Sequence, residues 1–363
     1  MTESATGIAD TVEDLTPEWF TSALREGGTI GAGVTVTAAS SALVGTGQLG
    51  LVVQTDLTYD APEGLPTSLV TKLPSRDEGS RRLGAMMGVY EAEVRFYQEI
   101  VPLVDAHIPA MHWGGIEPET GRFTLVIDNL APGSTVGDMV AGCPIEHAEL
   151  AVLELVKLQA RSWDAPAVLD RKWIADPMRT EMLFGAVPGA VDAFLHRFGP
   201  RLEPDHVELV RHLGPRAGAY TERVWQRPFV VAHGDYRLDN IMFGVDPSAP
   251  PISIIDWQAT RLAPPLLDAA IFLGSCVSPD ERRAHEKDLI ARYHEGLVKG
   301  GVTGFSLDDS FESYRRCSLY PFLLTVAVSM SLEQTERGDA MWARMVRDTA
   351  DLIRATSAAD LLD

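Results

Sequence analysis

Cysteine, basic charge and long apolar runs are all in short supply in this chain. Its three cysteines, Cys143, Cys276 and Cys317, lie far apart, with no C-x-x-C spacing and no histidine at metal-ligand spacing. That excludes a disulfide framework or a structural zinc site as the organising feature and fits a reducing, cytoplasmic setting. The longest apolar stretch, Leu319 to Leu332, is about 14 residues and contains Pro321. A bilayer span needs about 20, so this stretch is expected to be a buried helix. The opening MTESATGIADTVEDL lacks the cationic start and apolar run of a secretory signal. Against 51 Asp and Glu there are only 31 Lys and Arg, a formal charge of −20. Such an excess repels phosphate backbones and anionic lipid, so neither nucleic acid nor a membrane is the expected partner.

What is present suffices for a full core: 45% of the 363 residues are apolar and 23% charged. At about 150 residues per domain the length suits two domains or one bilobal unit. Thr16 and Pro17 read as the N-cap and first position of a helix over 16–25. From about 34 to 130 the runs VTVTAA, GLVVQTDLTY, TSLVTKL and RFTLVIDNL read as strands. One helix, 88–101, interrupts them and ends at Pro102. Beyond APGST at 131–135 the pattern turns helical, at 147–163, 205–225, 338–356 and from the Ser278-Pro279-Asp280-Glu281 capping box toward Gly300. A β-rich insertion, 229–257, lies among these helices. The expectation is therefore an α+β fold with a small N-terminal sheet lobe, 1–130, and a larger, mostly helical lobe, 131–363.

The chemistry concentrates in the insertion. The segment His233-Gly234-Asp235-Tyr236-Arg237-Leu238-Asp239-Asn240 places Asp235 and Asn240 five apart, the offset of the H-R-D-x-x-x-x-N loop of phosphoryl-transfer enzymes. Such transfer needs a carboxylate to orient and deprotonate the attacking hydroxyl, and oxygen ligands to hold Mg²⁺ against the phosphates. Sixteen residues after Asn240, Asp256 ends the apolar run of Ile254-Ile255-Asp256-Trp257, where a second Mg²⁺ ligand would stand. Alone, Asp256 reads equally well as a turn cap.

A nucleotide clamp is expected upstream. Gly45, Gly47 and Gly50 form G-x-G-x-x-G between two strand patterns. A Rossmann turn would enter a helix, whereas strand on both sides suits a phosphate-covering hairpin, the commoner alternative being a glycine-rich hairpin with no ligand. Lys72, 22 residues beyond Gly50 in SLVTKL, is placed to reach the α- and β-phosphates. Its acidic partner is sought in the helix at 88–101, with Glu93 preferred, Glu91 a competitor, and a solvated face explaining the rest of Glu91, Glu93 and Glu99. Arg237 either neutralises charge at the transferred phosphate or pairs with Asp239.

This order of Gly loop, strand Lys, helix Glu, H-G-D-x₄-N and I-D-W resembles the aminoglycoside phosphotransferase and choline kinase-like superfamily of small-molecule kinases. E-V-R-F-Y, Q-A-R-S-W and H-G-D-Y-R-L-D-N-I-M-F resemble its branch of ecdysteroid kinase-like proteins and the kinase domains attached to some acyl-CoA dehydrogenases. The resemblance covers roughly residues 40–335. It implies a protein-kinase-like fold with ATP held between the lobes and its adenine against the main chain of Ile127, Asp128, Asn129 and Leu130. Asp235 becomes the base, Asn240 and Asp256 the Mg²⁺ ligands and Lys72 the phosphate lysine. His233 becomes a packing residue, and Asp268 a buttress of the catalytic loop, in a D-A-A element where the family has D-L-A. The acceptor would be a hydroxyl of a small molecule, and a nucleotide-binding pseudokinase is the alternative. A protein kinase is disfavoured because no D-F-G, A-P-E or activation loop is visible. Overall acidity suits a cationic acceptor; an anionic one would want a basic entrance, for which Arg76, Arg81 and Arg82 are available unless they are simply solvated in a loop.

Overall fold

The alternating runs of the first third pair into a five-stranded antiparallel sheet in the computed structural model, which is described for residues 6–45, 49–60, 64–330 and 334–363. Strands β1 (Val36–Leu43), β2 (Gly50–Tyr59), β3 (Ser68–Pro74), β4 (Met111–Glu117) and β5 (Arg122–Asp128) lie in the order β1-β2-β3-β5-β4. Side chains alternate across a strand. In β3, Leu69 and Leu73 therefore enter a core with Val53, Leu57 and Val126, closed by Phe20, Ala23 and Leu24 of α1 (Pro17–Glu26). Lys72, one position out of phase, faces the other way. It stands opposite Val52 on one side and Leu125 on the other.

Helix α1 starts where expected, with the Thr16 hydroxyl accepting the Trp19 N–H at 3.2 Å. The arginine-rich stretch after Pro74, expected as a loop, instead forms α2 (Glu78–Met86), because the Asp77 carboxylate caps it by accepting the Ser80 N–H at 2.7 Å. Arg82 pairs with Glu78 along its exposed face at 2.7 Å. Helix α3 (Val89–Arg95) runs on through a wider π turn, Phe96–Ile100, and a tighter 3₁₀ turn, Val101–Leu103. Residues Met1–Pro102, Ile108–Ser134 and Ile255–Ala259 make one compact unit. The division in the chain thus falls after Ser134, and five residues from far downstream, around Asp256, belong with the sheet.

Residues Leu103–His107, Thr135–Ile254 and Thr260–Asp363 make the second unit. Its longer helices are α4 (Ile145–Gln159), α5 (Met178–Phe198), α6 (Pro204–Leu213), α7 (Leu267–Ser275), α8 (Pro279–Lys299), α9 (Leu307–Cys317), α10 (Leu319–Val328) and α11 (Glu336–Thr356). Every residue of α7 is buried, as an all-apolar helix must be, and α10 is the buried helix expected at 319. Helix α5 has no counterpart in the sequence reading. Pro188 and two glycines mask its periodicity, although Phe184, Val187, Val191, Phe194 and Phe198 line one buried face. The single helix expected over 205–225 breaks at Gly214-Pro215, where proline removes a ladder donor, and continues as a 3₁₀ stretch and one turn. Among the described residues no helix is long and apolar enough to cross a membrane.

Short strands hold the polar loop of the insertion. β6 (Val230–Ala232) pairs with β9 (Arg261–Ala263), and β7 (Ile241–Gly244) with β8 (Ile252–Ile254). Gly137 passes directly beneath the loop: its N–H donates to the Ile241 carbonyl at 2.9 Å, and a Cβ there would sit 2.8 Å from the Leu238 carbonyl oxygen. Backbone cannot yield as a side-chain tip can. Gly137→Ala is therefore expected to cost about 1–3 kcal/mol, read as a lower urea midpoint with an unchanged m-value.

Candidate active site

In the first unit the chemistry centres on one ammonium. Lys72 Nζ donates to Glu93 Oε1 at 2.5 Å and to Asp256 Oδ1 at 2.9 Å. Helical spacing decides which acid reaches it. Glu93 shares the buried face of α3 with Tyr90 and Val94, whereas Glu91 and Glu99 point outward and both hold Arg95, at 2.7 and 2.8 Å. Burial alone would push the Lys72 pKa down, but the carboxylates of Asp256 and Glu93 more than offset that and raise it above the ordinary lysine value. For Glu93 burial wins and the carboxyl is raised, against the pull of Lys72.

Asp256 is aimed by its neighbours. The Trp257 ring stacks on Phe96 with centroids 3.8 Å apart and planes at 9°, and the Trp257 N–H donates to Glu93 at 3.2 Å. Gln258 Nε2 donates to the second Asp256 oxygen at 3.1 Å. Asp256 itself adopts φ +65°, a left-handed conformation costing a non-glycine residue about 1–2 kcal/mol. Sequence reasoning overlooked Phe96 and Trp257 as anchors; their signal was an aromatic within E-V-R-F-Y and another directly after the aspartate.

The glycine loop closes through the Val44 N–H, which donates to the Val52 carbonyl at 2.8 Å. Gly45 has φ +78° with open space around it, and at Gly50 a Cβ would meet the Leu73 carbonyl oxygen at 3.0 Å. Gly47 lies outside the described residues. At the end of β5 the side chains fold back on the chain. The Asp128 carboxylate accepts from His112 Nε2 at 2.8 Å and from the Ala110 N–H at 3.1 Å. Asn129 donates to Ser68 Oγ at 3.0 Å and accepts the Ala131 N–H at 3.1 Å, while the Leu130 carbonyl accepts from Gly133 at 3.1 Å.

In the second unit the loop hangs on Asp268 of α7. Its two carboxylate oxygens accept the N–H groups of His233 and Gly234 at 2.8 and 2.9 Å. Burial raises the Asp268 pKa, opposed by His233 and those two donors. His233 is fully buried and accepts the Asp235 N–H on Nδ1 at 3.3 Å. Gly234 has φ +80°, which favours glycine there. Asn240 Nδ2 donates to the Asp235 carboxylate at 3.0 Å and to its carbonyl at 2.9 Å. Arg237 Nε completes the set 3.0 Å from Asp235 Oδ1, with Asp239 3.6 Å from the same guanidinium. Asp235, Arg237 and Asn240 thus form one cluster, and Arg237 reaches Asp235 as well as Asp239, the carboxylate weighed for it.

Asn240 in the second unit and Asp256 in the first each carry side-chain oxygen, the ligand type that Mg²⁺ takes. Asn240 turns its amide nitrogen to Asp235, leaving the amide oxygen on the opposite edge, and the two Asp256 carboxylate oxygens accept from Lys72 and Gln258. Among the described residues no group of three or more His, Cys, Asp or Glu gathers as a metal cage. Mg²⁺ uses one or two protein oxygens together with phosphates and waters.

Comparison with known proteins agrees with this architecture. Residues 193–301 match the model of the ecdysteroid kinase-like family. The GDP complex of wild-type aminoglycoside 2'-phosphotransferase-IIIa is similar in structure, with TM-score 0.52, 15% identity, and 88% of this chain and 94% of that one covered. An ethanolamine kinase of Plasmodium vivax gives TM-score 0.49 at 10% identity, covering 88% and 84%. Curated protein sequences give no match. The fold is that of the aminoglycoside phosphotransferase-like kinases, α+β with an N-terminal five-stranded sheet and a helical C-terminal region. The resemblance to the aminoglycoside phosphotransferases stands as one of fold, and over 193–301 the chain matches the ecdysteroid kinase-like family model.

Two measurements probe the geometry. Lys72→Met should cost about 3–5 kcal/mol, because it strands the buried Glu93 charge. The double variant Lys72→Met/Glu93→Gln should recover much of that, which denaturant titration of the four-member cycle would read. Asp128 has its pKa lowered, chiefly by the His112 hydrogen bond. Its stabilising contribution is therefore complete above the unfolded value near 3.8 and is lost as pH falls through the lower folded value. The stability gap between wild type and Asp128→Asn should be flat above that value and shrink below it.

Proposed function

We propose that the protein is an ATP- and Mg²⁺-dependent O-phosphotransferase that moves the γ-phosphoryl group to a hydroxyl of a small molecule. The observation that carries this reading is the Lys72 ammonium clamped by Glu93 and Asp256. A buried lysine rigidly presented from a strand is what fixes the α- and β-phosphates of a nucleotide. Backbone donors of Gly45, Gly47 and Gly50 cover the phosphates. The main chain at Ile127, Asp128, Asn129 and Leu130 takes the adenine, the side chains of Asp128 and Asn129 being held elsewhere.

Asn240 and Asp256 would hold Mg²⁺, which would supply charge neutralisation at the phosphates. Asp235, oriented by Asn240 and Arg237, accepts the proton of the attacking hydroxyl. Arg237 is the cation available to shift from the carboxylate to the transferred group as charge develops there. His233 and Asp268 keep the loop in place without touching substrate. A pseudokinase would have lost the strand lysine, the base or a metal ligand, and Lys72, Asp235, Asn240 and Asp256 are all present.

Asp235→Asn should lower kcat for acceptor-stimulated ADP release by roughly 10²–10⁴-fold, the range for losing a positioned base. The thermal shift produced by Mg-ATP should survive in that variant and disappear in Lys72→Ala. Unchanged turnover in Asp235→Asn would remove the base assignment, and an undiminished shift in Lys72→Ala would remove the nucleotide clamp.

A further inference from the structure

Helix α11 presents two side chains, one turn apart, to the catalytic loop of the second unit. Met341 Sδ lies 3.1 Å from Arg237 Nη1, and Arg337 Nη2 donates to Asp239 Oδ1 at 3.1 Å and to Asp138 Oδ1 at 2.9 Å. Residues four apart share a helix face, so both contacts come from one surface. The first turn that carries Arg337 is itself fixed. Thr335 caps it by accepting the Gly338 N–H at 3.0 Å, and Asp339 accepts from the Arg197 guanidinium of α5.

Asp239 stands between two guanidiniums. Its Oδ1 takes Arg337, whereas its Oδ2 is buried and, among the described residues, accepts no hydrogen bond; Arg237 Nη1 lies 3.6 Å from that oxygen. A buried acceptor without a donor is costly. Moving Arg237 onto Asp239 would relieve that cost, but its Nε would then leave Asp235, which it meets at 3.0 Å. The side chains of Arg237 and Asp239 are 23% and 22% exposed, so water screens their attraction less than that of a surface pair. A second cation on Asp239 weakens the pull, and Arg337 is that cation.

We infer that Arg337 is a positioning residue: by neutralising Asp239 it keeps Arg237 on the candidate base Asp235. It touches no substrate. Its part in turnover rests on the phosphotransferase reading, whereas its hold on Arg237 rests on the geometry of the second unit alone. A plain tether would behave differently. If the pair of Arg337 and Asp239 merely pinned the loop, removing either partner would do equal harm. Charge neutralisation predicts an asymmetry: loss of Arg337 unleashes the pull of Asp239, loss of Asp239 abolishes it, and loss of both is again harmless.

The first arm of the test needs no turnover. In a proton–nitrogen correlation spectrum of the full chain, the Arg237 Nε–H signal is identified by its disappearance in Arg237→Lys, and its exchange with water is measured. Arg337→Gln should speed that exchange about threefold or more. Asp239→Asn alone and the double variant Arg337→Gln/Asp239→Asn should both show the wild-type rate. Arg337→Lys, which keeps the charge, and Asp138→Asn, at the other end of Arg337, should stay within about twofold of it. In the second arm, Arg337→Gln should lower kcat for acceptor-stimulated ADP release about three- to tenfold with KM for ATP held, and the double variant should restore it. Equal losses in Arg337→Gln and Asp239→Asn, or no rescue in the double variant, would overturn the inference. Unchanged exchange in Arg337→Gln, or an unchanged kcat where the wild type is active, would do so too. Exchange as described, with no ADP release by the wild type from any acceptor, would count against the phosphotransferase reading and leave the hold of Arg337 on the loop standing.

Discussion

A lysine ammonium taken out of water must be matched by charge, and in the first unit that requirement draws three remote pieces of chain together. Lys72 comes from a strand, Glu93 from a helix and Asp256 from a segment nearly two hundred residues downstream. Each ion alone would be costly to bury. Together they satisfy one another, and the stacking of Trp257 on Phe96 keeps the third member in register. The sheet supplies the rigid platform: Leu69 and Leu73 lock β3 from the far side, so Lys72 cannot withdraw without disturbing the core.

The second unit solves a different problem by the same means. A sharp loop leaves backbone N–H groups that buried surroundings cannot hydrate, and Asp268 takes two of them. Glu93 does likewise for the Trp257 N–H. In both units a buried carboxylate therefore holds the backbone beside a candidate functional aspartate, Asp256 in one case and Asp235 in the other. Such carboxylates act through position, each accepting main-chain N–H groups of the segment that carries the aspartate.

Net charge proved a poor guide to local field. Many acids pair with arginines along helices, such as Glu78 with Arg82 and Glu312 with Arg316, while Lys72 is placed among buried side chains with Glu93 and Asp256. Arg76 pairs loosely with Glu13 at 3.8 Å and Arg82 with Glu78, which leaves them ordinary surface charges. A protein at −20 can thus present positive potential where phosphate or carboxylate must sit, because potential in a cleft depends on the nearest few charges.

By itself the sequence determined the strand and helix classes of most elements, and the order of Gly loop, Lys72, H-G-D-x₄-N and Asp256, because these are local patterns of period, turn chemistry and spacing. It could not separate α2 from a loop, since that depended on one capping carboxylate at Asp77, nor see α5 through Pro188 and its glycines. Tertiary structure alone decided that Glu93 rather than Glu91 faces Lys72, that Arg237 lies on Asp235, and that Phe96 steers Asp256 through Trp257. Those are contacts between residues remote in sequence or choices of helix face, and one chain's composition and periodicity do not encode which distant partner the packing will bring within 3 Å.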